Sequence, residues 1–376
     1  MYVYTHTKTI KESLMRETVL VLFGGMSVES DISVITGVQA ANNLSNKFDS
    51  VFVYIDKTGK WWTAENLLDL KIYADFHKFA KKKKRVSFVV GESTLFVKKN
   101  KKFIPLKKID SVLNCCHGNL GEDGAVQGYL KCCYVPQTSS LTTSSALCMD
   151  KSFMKDIFKA NGINTPDCFI LRPKDSIKST LEFPVIVKPC NLGSSIGISV
   201  CHNKEEFKTA VALAFEFDNK ILVEKLVENL KEFNCACFEY KGKMFLSSVC
   251  EVENKEEIYT FEDKYLSKNN KTKEAEQELA AKIKAITQKI YQLFDCQGVV
   301  RVDFLYDEKN SVLYANEINT IPGSLAFYLF KDTNFKDLLN CLIEQSKINY
   351  EKESHLIKSF DSEAIQVFAS VKTIKK

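Results

Sequence analysis

The chain has 376 residues, 45% hydrophobic and 26% charged, which is enough length and apolar content for a sizeable core in two or three domains. A net charge of only +5 gives no case for a nucleic-acid partner, and no apolar run approaches the roughly 18 residues that suggest a membrane span. Thirteen cysteines argue for neither disulfides nor a metal: Cys115-Cys116 and Cys132-Cys133 are adjacent, Cys235 and Cys237 alternate, and no C-x-x-C occurs. Most lie in apolar runs, where free thiols act as small hydrophobes, as expected in a reducing cytoplasm.

The opening MYVYTHTKTIKESLMRE lacks the apolar centre of a secretory signal, and Glu12 and Glu17 argue against a transit peptide. Residues 1–17 read as an extension before the first strand. From 18 to 137 the apolar runs ETVLVLFGG, SVFVYI and IDSVLNCC alternate with helical stretches, the signature of a parallel sheet with crossover helices. KKKKR at 81–85 reads as a solvated turn before the strand VSFVV. One helix is predicted from Ser145 to Ala160, stopping at Asn161-Gly162. Strands around DCFIL and PVIVKP follow, then the loop NLGSSIG, a helix over EEFKTAVALAFEF and the strand KILVEKL. From about 229 NCACFEY and KMFLSSVCEV read as antiparallel strands. A long helix over roughly 273 to 294 is apolar at Leu279, Ile283, Ile286, Ile290 and Leu293. The strands GVVRVDFLY and SVLYANEIN come next.

The last two strands carry a distinctive set of polar residues. Glu317 and Asn319 are two apart, so a strand points them to one face. Asp303 leaves the preceding strand. If the two strands pair, three oxygen ligands converge, as Mg²⁺ held against a nucleotide requires. Arg301 shares the face of Asp303, where a guanidinium can meet negative charge growing at a reacting centre. A surface salt-bridge cluster is the competing reading. In VIVKPCNLGSSIGISV, Lys188 ends a strand, and Gly193 and Gly197 flank Ser194 and Ser195, letting backbone N–H groups approach phosphate. This is no Walker A loop, because no G-K-[ST] follows. KILVEKL carries Glu224 and Lys225, with Glu232 beyond; alone it is a charged strand end. His117 and Glu122 lie in a strand-to-helix loop, and Glu29 lies near a helix start. Ligands of open α/β sheets bind at such strand ends.

In order along the chain, GGMSVE, HGNLGEDGAVQG, ALCMDK, VIVKPCNLGSSIGIS, LVEKL, FEDKY, RVDF and NEINTIPGS resemble the D-alanine–D-alanine ligase family of the ATP-grasp superfamily. The resemblance covers nearly everything after about residue 18, and HG-x-x-GEDG-x-x-QG with NE-x-NT-x-PG is its most specific part. It implies an α/β fold: an N-terminal parallel α/β domain at 18–137, then a two-part ATP-grasp fold. The central subdomain would span 138–228, and a C-terminal antiparallel-sheet subdomain 229–376. The implied activity joins two D-alanines through a D-alanyl phosphate, using ATP and two Mg²⁺ ions or Mn²⁺, for peptidoglycan precursor synthesis. The implied setting is a cytoplasmic homodimer without nucleic acid or membrane.

By position, Lys151, Lys188 and Lys264 would neutralise ATP phosphates beside Ser194 and Ser195, and Glu224, Lys225 and Glu232 would hold the nucleoside. Asp303, Glu317 and Asn319 would hold metal. Glu29 would bind the ammonium of the first D-alanine, linked to Ser194 and Tyr265, with His117 near the same substrate. Arg301 and the backbone N–H of Gly323 would form an oxyanion site.

Three departures from the family pattern stand out. Ser324-Leu325-Ala326-Phe327-Tyr328 replaces the usual Thr-Ser-x-Ser, so Ser324 or Tyr328 is expected to grip the second substrate. LSKNNKTKEAE after Tyr265 is short and polar. PQTSS at 136–140 replaces Pro-Tyr-Thr-Gly. The alternatives are a D-serine, D-lactate or other acceptor, or a non-catalytic nucleotide binder. Tyr265 favours an amine acceptor, and an intact Arg301 argues against a binder.

Overall fold

The computed structural model describes residues 16–176, 182–228, 230–252 and 273–370, and within them the chain builds three sheets. The first contains β1 (Thr18–Gly24), β2 (Asp49–Ile55), β3 (Trp61–Thr63), β4 (Lys84–Val89), β5 (Glu92–Lys99), β6 (Lys102–Lys108) and β7 (Ser111–Asn114). Their order is β6-β5-β4-β3-β2-β1-β7. β1 pairs in parallel with β2 and β7, and TVLVLFG is buried at every position, as a strand covered on both faces must be. The helix Ser30–Asn43 makes the crossover from β1 to β2. This is the expected parallel α/β core. The sheet then continues through β3, β4, β5 and β6, all antiparallel. That extension went unforeseen because KFIPLKK is exposed along its whole length and Pro105 interrupts its strand pattern. Lys84 and Arg85 of the basic run open β4 instead of lying in the turn before it.

The second sheet has β8 (Cys168–Leu171), β9 (Val185–Pro189), β10 (Ser199–Cys201) and β11 (Ile221–Lys225) in the order β10-β9-β11-β8, all antiparallel. The helix Lys204–Ala214 covers it, capped by Asn203, which accepts from Glu205 N at 3.1 Å and Glu206 N at 3.0 Å. The single helix expected over 145–160 is two helices, Thr142–Met149 and Lys151–Ala160. Asp150 makes the break. Its backbone is extended, and its carboxylate caps the second helix by accepting from Ser152 N (3.0 Å) and Phe153 N (3.4 Å). Gly162 follows the helix end with φ 64°, as expected of the Asn-Gly stop.

The third sheet comprises β12 (Leu230–Tyr240), β13 (Lys243–Leu246), β14 (Cys250–Val252), β15 (Lys273–Glu274), β16 (Val300–Asp307) and β17 (Val312–Asn319). It runs β15-β14-β12-β16-β17, with β13 paired on β12. The long helix is Gln277–Leu293, shorter at its start than expected because Lys273–Glu274 pairs with β14. It buries Ile283 and Ile290 against this sheet, with Leu279, Ile286 and Leu293 partly buried beside them.

Packing fixes how the sheets meet. Val19, Val21 and Phe23 of β1 share one core with Leu338, Leu339 and Leu342 of the helix Phe335–Ser354 and with Ala236 and Phe238 of β12. The second sheet has its own core of Val185, Val187, Phe207, Val211, Ile221 and Val223. All thirteen cysteines are free thiols and most are buried. Among the described residues no helix is long and apolar enough to cross a membrane.

Candidate active site

β16 and β17 pair as anticipated, with Asp303 opposite Glu317 and Arg301 opposite Asn319. The register then shifts after Asp303, so that Phe304 faces Ala315 and Asn316 is the extra residue of a bulge. Three of the four polar side chains interlock, and Glu317 pairs with Lys151. Arg301 donates through Nε to Asp303 Oδ1 at 2.7 Å and through a terminal nitrogen to Oδ2 at 2.8 Å. Asn319 donates its amide to Asp303 Oδ2 at 3.1 Å. Lys151, the first residue of its helix, reaches Glu317 Oε1 at 3.2 Å and the Leu192 carbonyl at 2.8 Å. Burial works against the Lys151 charge, but Glu317 more than compensates and raises its pKa.

These residues line a cavity of about 620 Å³ between the three sheets. Lys188 enters from β9, Glu224 and Lys225 from β11, and Glu232 from β12. Pro166, Ile186, Leu226 and Leu305 give this end an apolar lining. Lys188 Nζ lies 2.6 Å from Glu224 Oε2, and Lys155 Nζ lies 2.5 Å from Glu224 Oε1. Burial alone would raise the Glu224 pKa, but the two ammoniums draw it down to about 2, so the carboxylate is charged in a dry setting. Lys188 is also 3.5 Å from Asn316 Oδ1, a contact that the bulge permits.

Across the cavity, Ser194 donates its hydroxyl to Glu29 Oε1. Glu29 is held between two loops that allow no side chain. A Cβ on Gly118 would come 2.7 Å from Glu29 Oε2, and one on Gly193 would come 2.9 Å from it. Ser194 and Ser195 both take left-handed backbone (φ 56° and 58°), which turns the loop over the cavity. Tyr265 and Lys264 lie outside the described residues.

His117 does not line the cavity. It is buried behind Thr36, whose Oγ1 is 2.9 Å from His117 Nε2. Thr36 Oγ1 also accepts the Ser324 N–H (3.0 Å). Burial brings the His117 pKa down to about 4, against a hydrogen bond to the Ile321 backbone. Glu122 bridges the two loops by accepting from Gly118 N and Ile321 N, both at 2.9 Å. Burial first, and then Glu29, push its pKa up to about 8.

Gly323, Ser324 and Tyr328 reach the cavity from the Pro-Gly turn. Ser324, Leu325 and Ala326 are all left-handed (φ 52°, 50° and 49°). The Ser324 hydroxyl is already engaged, donating to Gln39 Oε1 at 2.6 Å. Tyr328 is half exposed, its hydroxyl 3.4 Å from an Arg301 nitrogen.

Two matches to family models decide the relationship: D-ala D-ala ligase N-terminus over residues 18–140, and D-ala D-ala ligase C-terminus over 157–344. The chain belongs to the D-alanine–D-alanine ligase family. The D-alanine–D-alanine ligase of Thermosipho melanesiensis is 37% identical over 330 residues, covering 84% of this chain and 89% of that protein. The solved D-alanine–D-alanine ligase of Helicobacter pylori matches with a TM-score of 0.73 at 28% identity, covering 87% of this chain and 98% of that one. The VanG D-Ala:D-Ser ligase of Enterococcus faecalis matches with a TM-score of 0.75 at 26% identity, covering 88% and 100%. The α/β architecture found here is that of these ligases.

Lys155, Thr36, Gln39 and Asn316 went unremarked in the sequence. Only Lys155 left a signal. It falls at i+4 from Lys151, on the same helix face as buried Met154 and Phe158, where an unpaired lysine has no place.

Proposed function

We propose that this cavity performs ATP-dependent ligation of two D-alanines to D-alanyl-D-alanine, a peptidoglycan precursor, through a D-alanyl phosphate. The observation that carries the reading is convergence: Lys151, Lys188, the Asp303/Glu317 pair, Arg301 and the Glu29–Ser194 link all meet on one cavity. Lys151, Lys188 and Lys264 neutralise the phosphates, with Ser194 and Ser195 presenting backbone N–H groups. Glu224, Lys225 and Glu232 hold the nucleoside, its base against the apolar wall. Two carboxylates and an amide at one strand end fit Mg²⁺ or Mn²⁺, which take oxygen ligands and leave positions for phosphate and water. Such ions supply charge neutralisation and alignment, the main need of phosphoryl transfer. Asn319 supplies the third oxygen of the set, from its side-chain amide.

Glu29, linked to Ser194 and Tyr265, holds the ammonium of the first D-alanine, with His117 supporting the loop beside it. Its carboxylate oxygen attacks the γ-phosphorus and ADP leaves. The second D-alanine, as its neutral amine, then attacks the acyl carbon; phosphate leaves and carries off the proton that the new amide nitrogen sheds. Arg301 and the Gly323 N–H meet the oxyanion of that step. Tyr328 is the better candidate for the acceptor carboxylate, because Gln39 occupies the Ser324 hydroxyl. Divisions near 137 and 228, cytoplasmic action and a homodimer belong to the same reading.

Mass spectrometry of products from ATP, Mg²⁺, D-alanine and a panel of D-serine and D-lactate tests it. D-Alanyl-D-alanine with equal ADP is expected. Preference for another acceptor would overturn the second-substrate assignment, and bound ATP without product would overturn the catalytic one.

A further inference from the structure

Lys155 takes no part in the steps above, yet it is the best-buried cation near the cavity, 1% exposed. Its ammonium touches Glu224 Oε1 at 2.5 Å and Thr165 Oγ1 at 2.8 Å. Glu224 and Lys188 line the cavity, whereas Lys155 does not. One carboxylate is thus shared between a lysine that can reach a ligand and one that cannot. Lys188 Nζ lies 2.6 Å from Glu224 Oε2, so the ammonium that would meet phosphate is held by this carboxylate. In a dry site a carboxylate stripped of its only partner is heavily penalised. With Lys155 in place the carboxylate keeps one counter-charge throughout.

We infer that Lys155 is a positioning residue, the fixed counter-ion of Glu224 that frees Lys188 to move onto the nucleotide phosphates. The inference rests on the reading that Lys188 meets phosphate. It assigns Lys155 no contact with ATP. Without Lys155, Glu224 retains Lys188 as its sole partner, and the phosphates lose a cation although Lys188 is still present. Glu224 also holds the nucleoside, but it keeps Lys188 as a partner when Lys155 is lost, so nucleoside binding weakens less than ATP binding.

Calorimetric titration with ATP and with adenosine on the full chain separates the cases. For Lys155→Met the ATP Kd is expected to rise about tenfold or more, and the adenosine Kd by less than about threefold. Adding Lys188→Met to Lys155→Met is expected to weaken ATP little further, although Lys188→Met alone weakens it strongly. Thr165→Val, which only loosens the Lys155 ammonium, is expected to shift ATP binding in the same direction by less. It carries the test if Lys155→Met does not fold. Equal weakening of ATP and adenosine, or unchanged ATP binding with a lower melting temperature, would overturn the inference. If Lys188→Met alone leaves ATP binding intact, the phosphate reading of Lys188 falls and this inference falls with it. ATP loss in Lys188→Met but none in either second variant overturns this inference alone.

Discussion

Arg301 is the residue where the two readings of the β16–β17 pair separate. Its fork rests on Asp303, as a salt-bridge cluster would have it, but one nitrogen faces Tyr328 across the cavity. Lysine keeps the charge and loses the planar fork. Losing one preorganised oxyanion donor costs about 2.7–4 kcal/mol, so Arg301→Lys is expected to lower kcat by about a hundred- to a thousandfold with little change in the ATP KM. A lower melting temperature with kcat per folded molecule preserved would reduce Arg301 to a structural role. His117 offers a test by pH. Its pKa is about 4 in the folded chain against an ordinary 6.5. Between those values the unfolded chain binds a proton that the folded chain refuses, so stability falls as pH drops through the window, by about 1.4 kcal/mol per unit at most. Glu122 acts in the opposite sense but is present in both proteins compared. Melting of wild type and His117→Gln at about pH 7 and about pH 5 is therefore expected to show the smaller acid loss in the variant. Equal losses would mean that His117 is not held neutral.

At the scale of elements, side-chain competition decided what was legible. Apolar runs such as TVLVLFG and periodic helices such as Gln277–Leu293 announced themselves. The edge strand KFIPLKK did not, because its side chains stay exposed and Pro105 sits in its middle. The break at Asp150 was hidden, because an aspartate fits a helix surface as readily as a cap until its partners are known. Asp150 both caps Lys151–Ala160 and pairs with Lys220. Asparagine can keep the cap but not the ion pair. Asp150→Asn is expected to destabilise the chain, and Asp150→Ala to destabilise it by about 1 kcal/mol more, in denaturant unfolding. Equal values would show that the cap adds nothing. The bulge at Asn316 is likewise invisible in SVLYANEIN, whose alternation reads as an unbroken strand. It leaves Glu317 and Asn319 on one face, which is why the candidate metal pair was found despite it.

At the scale of the whole molecule, the candidate groups come from three sheets arranged around one cavity. Family motifs located most of these groups in the sequence. The clasp that joins them was not legible, because it pairs residues far apart in the chain: Thr36 and Gln39 with Ser324, and Glu122 with Ile321. This clasp leaves Tyr328, whose hydroxyl accepts from Arg301 at 3.4 Å, as the hydroxyl placed to donate to a substrate. Tyr328→Phe is expected to raise the KM for the second D-alanine several-fold, by about 1 kcal/mol, with the ATP KM unchanged. An unchanged acceptor KM would take that role away from Tyr328. The chemistry itself turns on one oxygen atom. If the first D-alanine attacks the γ-phosphorus, one of its carboxylate oxygens leaves with the phosphate when the amine attacks. The deciding measurement supplies D-alanine labelled with ¹⁸O in its carboxylate, with ATP and Mg²⁺, and weighs the inorganic phosphate. One labelled oxygen per phosphate, matched to each dipeptide formed, is expected; dipeptide formed alongside unlabelled phosphate would contradict the acyl-phosphate route.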